Sequence, residues 1–308
     1  MDVGIIGLGR MGMNMALRLL SGGHRVVAYN RSPGKVRSVV RKGAEGASSV
    51  GQLVSRLKPP RVLWIMLPAG APTDAMIEQA APLLRKGDII VDGGNTFYKD
   101  DVRRAAALQK VGIGYLDAGV SGGIWGLRNG YCLMVGGPQP IYRKILPLIK
   151  TLAPKNGYLY CGPSGSGHFV KMIHNGIEYG MMAAIGEGFA VLDASPYAES
   201  LDYAEVSRLW NQGSVVRSWL MELAERAFRN DPRLTDIRGH VDDSGEGRWA
   251  VQQAIDTAVP APVISAALFQ RFASRQDNAF ADRLSAALRN EFGGHAVQAA
   301  LKKDTKNG

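Results

Sequence analysis

The stretch that decides the fold is VGIIGLGRMGMNMALRLL, residues 3–20. It begins as a short β-branched run, breaks at GLGRMG, and continues with apolar residues at helical period. Gly7, Gly9 and Gly12 give the spacing G-x-G-x-x-G between a strand and a helix. Gly7 permits a tight turn there. Gly9 lets the backbone approach a pyrophosphate, and Gly12 lets helix and strand pack closely. The phosphate would lie at the helix N-terminus, where free N–H groups and the dipole favour an anion. The plain alternative is a structural glycine turn, and the strand–loop–helix context favours the dinucleotide.

The next strand, RVVAY (25–29), ends in Asn30, Arg31 and Ser32. A chain built for NAD usually places an acid there for the ribose 2′-hydroxyl. With no carboxylate to repel a 2′-phosphate, and Arg31 able to face one, NADP is expected in preference to NAD. If Arg31 is only a surface arginine, either cofactor is tolerated. Further strands are expected at RVLWIML (61–67), DIIVD (88–92), IGYLD (113–117), YCLMVGG (131–137) and YLY (158–160). Apolar-periodic segments such as MNMALRLL (13–20) and APLL (81–84) separate them. This alternation predicts an α/β Rossmann-type, parallel, doubly wound sheet over residues 1–165.

From residue 166 the texture is helical. Helices are expected over 166–193, 215–229, 263–275 and 281–290, with Pro196 stopping the first. The stretch 230–248 is rich in Asp, Gly and turn formers and reads as a loop. Residues 166–308 are thus expected to form an all-helical domain, ending in a mobile KKDTKNG terminus (302–308).

Lys and Arg number 37 against 27 Asp and Glu, a formal charge of +10. The basic residues are scattered, which points to a solvated surface and phosphate-bearing small molecules rather than to nucleic acid. Cys132 and Cys161 are far apart, and the five histidines lack ligand spacing, so no metal is expected. No purely apolar run reaches about 18 residues, so no membrane span is expected. The N-terminus has neither a basic n-region nor a small-residue cleavage site, which reads as a cytoplasmic protein.

The segment GHFVKMIHNGIEY (167–179) sets Lys171, His174, Asn175 and Glu178 at i, i+3, i+4 and i+7. Seven helical residues return roughly 700°, so these side chains share one stripe, with Tyr179 at its border. Phe169, Val170, Met172, Ile173 and Ile177 cover the other faces. A solvated helix face is the bland reading. A Lys–Glu pair at i, i+7 exceeds ordinary ion-pair spacing and suits two groups acting on different atoms of one ligand. Burial would bring the lysine toward neutrality as a base, and a glutamate screened from water could be raised enough to donate a proton.

The chain resembles the 6-phosphogluconate dehydrogenases, specifically their short form, over almost its whole length. The resemblance rests on GLGRMG with NRS, IIVDGGNTFY (89–98), DAGVSGGIWGLRNGYCLMVGG (117–137), SGSGHFVKMIHNGIEYG (164–180), SGEGRW (244–249), FQRFASR (269–275) and ALRNEFGGH (287–295). It implies oxidative decarboxylation of 6-phospho-D-gluconate to ribulose 5-phosphate in the pentose phosphate pathway, without a metal. Lys171 would be the general base and Glu178 the acid that protonates C1 of the enediol. Asn175 and His174 would orient hydroxyls. Ser121, Gly122 and Gly123 would hold the carboxylate end, and Asn95 would lie near substrate and nicotinamide. Tyr179, Arg248, Arg271, Arg289 and His295 would contact the phosphate, the last two from a partner subunit. Cofactor contacts would come from Gly7, Leu8, Gly9, Arg10, Met11, Gly12, Asn30, Arg31, Ser32, Leu67 and Asn95.

This chain departs from the long enzymes at Arg248, where they carry lysine, at Ala250, where a threonine is common, and over SPYAESLDY (195–203). Many short-form relatives prefer NAD, against the NADP reading of NRS. One helical unit where the long enzymes have two implies a homodimer or tetramer. The rival reading is a β-hydroxyacid dehydrogenase or imine reductase acting on a small unphosphorylated substrate. Those chains typically show K-x-x-N-N on the helix and have no use for Glu178. A silent NADP-binding sensor is the third reading.

Overall fold

A computed structural model describes residues 1–298; the KKDTKNG terminus expected to be mobile lies outside them. Two compact units emerge, Met1–Glu178 with Gly245–Pro260, and Tyr179–Ser244 with the chain from Ala261 onward.

The first unit opens with β1 (Asp2–Ile6), α1 (Arg10–Ser21), β2 (Arg25–Tyr29), α2 (Pro33–Val40), β3 (Glu45–Ala47), α3 (Val50–Arg56), β4 (Val62–Ile65) and α4 (Ala71–Ala80). It continues through β5 (Ile89–Asp92), α5 (Tyr98–Lys110), β6 (Gly114–Ser121), α6 (Gly126–Asn129), β7 (Cys132–Gly136), α7 (Gln139–Leu152) and β8 (Tyr158–Gly162). The first part of α8 (Ser166–Asp193) and the returning helix α11 (Glu246–Asp256) complete it. The eight strands form one sheet in the order β3-β2-β1-β4-β5-β6-β7-β8.

The strands read as near-continuous apolar runs because both faces of the sheet are covered. On one face Ile5, Trp64, Val91 and Leu133 pack with Met15 and Leu19 of α1 and Ile145 and Ile149 of α7. On the other, Ile6, Val27, Leu63 and Ile90 meet Leu53 of α3, Ile77 of α4 and Leu108 of α5. Strand order reverses at β1, whose neighbours are β2 and β4. That is the switch point at which ligands sit beyond the carboxyl ends of strands in such sheets.

The expected parallel, doubly wound sheet contains one antiparallel pair. β6 and β7 run antiparallel, with Ser121 opposite Cys132. Only residues 122–131 join them, too short for the crossover of a dozen or more residues that a parallel pair needs. The longer α7 restores parallel pairing of β7 with β8. β3, Glu-Gly-Ala at the sheet edge, has no apolar run to announce it. APLL supplies only a 3-10 turn over Ala81–Leu83 after α4.

The second unit contains the rest of α8 with α9 (Tyr203–Trp210), α10 (Trp219–Asn230), α12 (Pro262–Ala273) and α13 (Phe280–Gly293). α8 ends at Asp193, just ahead of Pro196. The core is aromatic: Phe189 lies 4.8 Å from Phe228 and 5.8 Å from Tyr203, centroid to centroid. The loop expected over 230–248 stops earlier, because Gly245, at φ 105°, turns the chain into α11 at Glu246. No residue of α13 is buried, and its Phe280, Leu284, Leu288 and Phe292 are exposed at successive i+4 steps. Among the described residues no helix is long and apolar enough to cross a membrane.

Candidate active site

The glycine loop leaves β1 at the switch point. Gly7 has φ 95°, and a Cβ there would strike the Met66 carbonyl and come within 3.0 Å of Leu67 Cδ2. A Cβ on Gly12 would run into the Gly7 carbonyl, whereas one on Gly9 would meet nothing within 4 Å. Gly9 is thus the open position. Arg10, Met11 and Gly12 occupy the first turn of α1, where backbone N–H groups have no partner inside the helix. Loop and helix start therefore suit a pyrophosphate. Asn30 commits its amide to the loop: Oδ1 accepts from the Leu8 N–H at 2.8 Å, and Nδ2 donates to the Ser32 carbonyl at 3.3 Å. Arg31 and Ser32 remain exposed.

The first part of α8 lies directly on the sheet. A Cβ on Gly167 would strike the Met134 carbonyl, and one on Gly119 of β6 would strike Lys171. Lys171 is only 8% exposed. Its Nζ has no hydrogen bond or ion pair among the described residues. Burial lowers the amine's pKa, opposed by Glu178, Glu246 and Cys132. The result is an amine that gives up its proton more readily than a surface lysine does.

His174, Asn175 and Glu178 follow it on α8. His174 Nε2 is 3.4 Å from Ser121 Oγ, and its Nδ1 is 3.0 Å from Asn175 Oδ1 and 3.8 Å from Glu178 Oε2. Asn175 Nδ2 donates to Glu246 Oε1 at 3.0 Å. Glu178 departs from expectation: its side chain is 41% exposed, so it is open rather than screened from water. Its neighbour Ile177 is exposed as well. Beyond Ser121 the chain turns through Gly122 and Gly123, both at positive φ. α1 holds the following residues through Asn14 Nδ2 to the Ile124 carbonyl (3.0 Å) and Arg18 Nη1 to the Leu127 carbonyl (3.1 Å).

Behind the site runs a buried polar network that fixes the loop carrying Asn95. Asp92 accepts from the Gly94 N–H, from Thr96 Oγ1 and from Arg104 Nη1 at 2.9, 2.8 and 3.0 Å. His168, at the start of α8, donates Nδ1–H to Asp101 at 2.8 Å and Nε2–H to the Gly94 carbonyl at 3.0 Å. Asp117 accepts the N–H groups of Gly165 and His168 at 2.7 and 3.0 Å. Burial works against a charged His168, but Asp101 carries its pKa up to about 9. Burial pushes Asp101 up to about 6, against the pull of His168. Asp92, Asp101 and His168 bring ligand atoms within 4.8 Å of one another, the geometry of a small metal site. Arg104 already supplies that cluster with a cation, and Tyr115 Oη donates to Asp101 at 2.7 Å.

The remaining expected residues stand elsewhere. In the second unit the Arg271 guanidinium stacks 3.4 Å from the centre of the Tyr179 ring and donates to the Asp242 carbonyl at 2.9 Å. Arg289 and His295 are exposed on and after α13. Arg248 is exposed on α11 of the first unit, and Ala250 beside it is buried. Sequence reasoning assigned no role to Glu246, His168 or Asp117, though all lie in motifs it quoted. The available signal was an acid in SGEGRW, where the neighbouring arginine drew attention.

Residues 2–162 match the NAD binding domain of 6-phosphogluconate dehydrogenase, and residues 167–306 match the 6-phosphogluconate dehydrogenase C-terminal domain. The chain is 49% identical to Bacillus subtilis YqeC, provisionally named a 6-phosphogluconate dehydrogenase, over 97% of this chain and 99% of that one. It is 45% identical to a Haloferax volcanii protein named 6-phosphogluconate dehydrogenase, NAD(+)-dependent, decarboxylating, over 96% and 98%. The Plasmodium falciparum 6-phosphogluconate dehydrogenase, solved with NADP+ and with 6-phosphogluconate, superposes with a TM-score of 0.82 at 30% identity, over 99% of this chain and 67% of that one. A Salmonella typhimurium 3-hydroxyisobutyrate dehydrogenase shares the fold, with a TM-score of 0.74 at 21% identity over 88% and 93%.

Proposed function

The chain belongs to the 6-phosphogluconate dehydrogenase family, and from that premise we propose that it converts 6-phospho-D-gluconate to D-ribulose 5-phosphate and carbon dioxide while reducing NADP or NAD. The observation that carries this reading is Lys171, a buried amine without a partner among the described residues, on one helical stripe with His174, Asn175 and Glu178. Burial lets Lys171 take the C3 hydroxyl proton as general base. The nicotinamide, when bound, accepts the hydride from C3. Lys171, now an ammonium, hydrogen-bonds the new ketone oxygen and returns its proton there as the carboxylate leaves as carbon dioxide. Glu178 then protonates C1 of the enediol while Lys171 takes back the C2 hydroxyl proton, which leaves the ketone; the open side chain of Glu178 lets solvent reload it.

Ser121, Gly122 and Gly123 are assigned to the carboxylate end, and Asn95 to the nicotinamide side. The substrate phosphate is assigned to Tyr179, Arg248, Arg271, Arg289 and His295. Gly7 to Gly12, Leu67 and Asn95 hold the dinucleotide. Arg31, exposed and in no ion pair among the described residues, favours NADP, although the Haloferax relative is named NAD(+)-dependent. The exposed apolar side chains of α13 support a homodimer.

A β-hydroxyacid dehydrogenase is the second reading, favoured by the shared fold. Glu178 argues against it, because simple hydride transfer needs no second acid. Steady-state kinetics with 6-phosphogluconate and with unphosphorylated 3-hydroxy acids, each with NADP and NAD, separate the two. Turnover confined to the unphosphorylated acids would overturn the proposal.

A further inference from the structure

The returning helix α11 brings into the site a carboxylate to which no role is yet attached. Glu246 is 2% exposed. Its helix is anchored to the start of α5 by a 2.6 Å hydrogen bond from Tyr98 Oη to Gln253 Oε1 and by Trp249 against Phe97, 5.2 Å between ring centres. We infer that Glu246 is a positioning residue that fixes the direction of the hydrogen-bond chain Glu246–Asn175–His174–Ser121, and with it the tautomer of His174. The functional consequence rests on the reading of Lys171, His174 and Asn175 proposed above.

The direction follows from donor chemistry. An ionised carboxylate only accepts, so Asn175 must turn its NH2 toward Glu246 and its carbonyl toward His174. His174 Nδ1 therefore faces two acceptors, Asn175 Oδ1 at 3.0 Å and Glu178 Oε2 at 3.8 Å, and carries the hydrogen. In the neutral ring Nε2 is then bare. Ser121 Oγ, 3.4 Å away, is set to donate to it, which leaves the serine oxygen with its lone pairs outward. A glutamine at 246 could offer either its oxygen or its NH2 to Asn175, and the second choice reverses every bond in the chain. Charge matters as well as direction. The titratable groups acting on Lys171 are Glu178 from its own helix, Glu246 from α11 and Cys132 from β7, all raising the amine's pKa against its burial. Loss of the Glu246 charge thus moves the amine's titration to lower pH.

The test uses the full chain, labelled with 15N-histidine, with His174 assigned by comparison with His174→Gln. The unsubstituted protein should show His174 protonated at Nδ1 and bare at Nε2. Glu246→Gln should show a mixed or reversed tautomer, whereas Glu246→Asp, which keeps the carboxylate, should retain Nδ1–H. In turnover of 6-phosphogluconate, Glu246→Gln should lose about ten- to hundredfold in kcat, the equivalent of one charge-assisted hydrogen bond. Its cofactor KM should stay unchanged, and the acid limb of its kcat/KM profile should shift to lower pH. An Nε2–H tautomer in the unsubstituted protein overturns the inference, and so does an unchanged tautomer in Glu246→Gln. Should the unsubstituted protein not turn over 6-phosphogluconate, the proposed function falls, and the tautomer still decides the role of Glu246.

Discussion

Replacing Lys171 by methionine separates the chemistry of the amine from its cost to the fold. Methionine keeps an unbranched chain of similar length in a site that is 8% exposed, and removes a buried amine that has no partner among the described residues. An unsatisfied buried polar group costs about 1–3 kcal/mol, more if charged, so Lys171→Met should be more stable than its parent by about that amount. At about 2–4 °C per kcal/mol for a unit of this size, the thermal midpoint should rise by at least about 2 °C near neutral pH. The sign follows from linkage. The folded-state pKa of Lys171 lies below its ordinary 10.5, so any stability tied to it is present above that pH and is lost as pH falls through the folded pKa. At neutral pH the lysine is thus a penalty, and the advantage of methionine should fade as pH rises toward 10.5. Loss of a general base costs about 10²–10⁴ in rate. Because Lys171 both takes and returns a proton, the upper end is expected for kcat with 6-phosphogluconate, with cofactor binding retained by fluorescence titration. Activity within about tenfold of the parent would remove the amine from the mechanism. A lowered midpoint would refute the claim that it is buried without compensation.

Gly12→Ala drives a methyl into the Gly7 carbonyl, so it should weaken cofactor binding severely and cost about 1–3 kcal/mol, read by titration and by urea unfolding. Arg104→Met strands the fully buried Asp92 carboxylate and should destabilise the first unit by about 3–5 kcal/mol, with hydrogen exchange rising in the 93–96 loop. The pKa of His168 is raised from 6.5 to about 9, so the stability it contributes is complete below 6.5 and is lost as pH rises through 9. The unfolding midpoint should fall across that window, and His168→Gln should flatten the fall. Asp101, raised from 3.8 to about 6, loses its own contribution as pH rises between those two values, below the window of the histidine.

The glycine loop was legible because three glycines between a β-branched run and a helical period have distinct steric duties; Gly7 takes a positive φ, Gly12 packs against the Gly7 carbonyl, and the space beside Gly9 is open. The polar stripe on α8 was legible because helical geometry alone puts residues 171, 174, 175 and 178 on one side. What escaped depends on distant parts of the chain. The antiparallel β6–β7 pair follows from the length of a connection, while YCLMVGG reads the same in either direction of pairing. β3 is an edge strand whose pairing with β2 is made by backbone groups, which leave no apolar trace. Glu246 lies far from Asn175 in sequence and reaches it only because α11 returns to α5. His168 reads as a lone histidine until the fold sets Asp101 on one ring nitrogen and the Gly94 carbonyl on the other.

The central claim is that oxidation at C3 and loss of C1 are one catalytic sequence. It is tested most directly by supplying 6-phosphogluconate labelled with 13C at C1 and counting labelled carbon dioxide against reduced nicotinamide. The account predicts one labelled carbon dioxide for each nicotinamide reduced, with ribulose 5-phosphate left behind. Reduced nicotinamide accumulating while the label stays in a carboxylate product would contradict it.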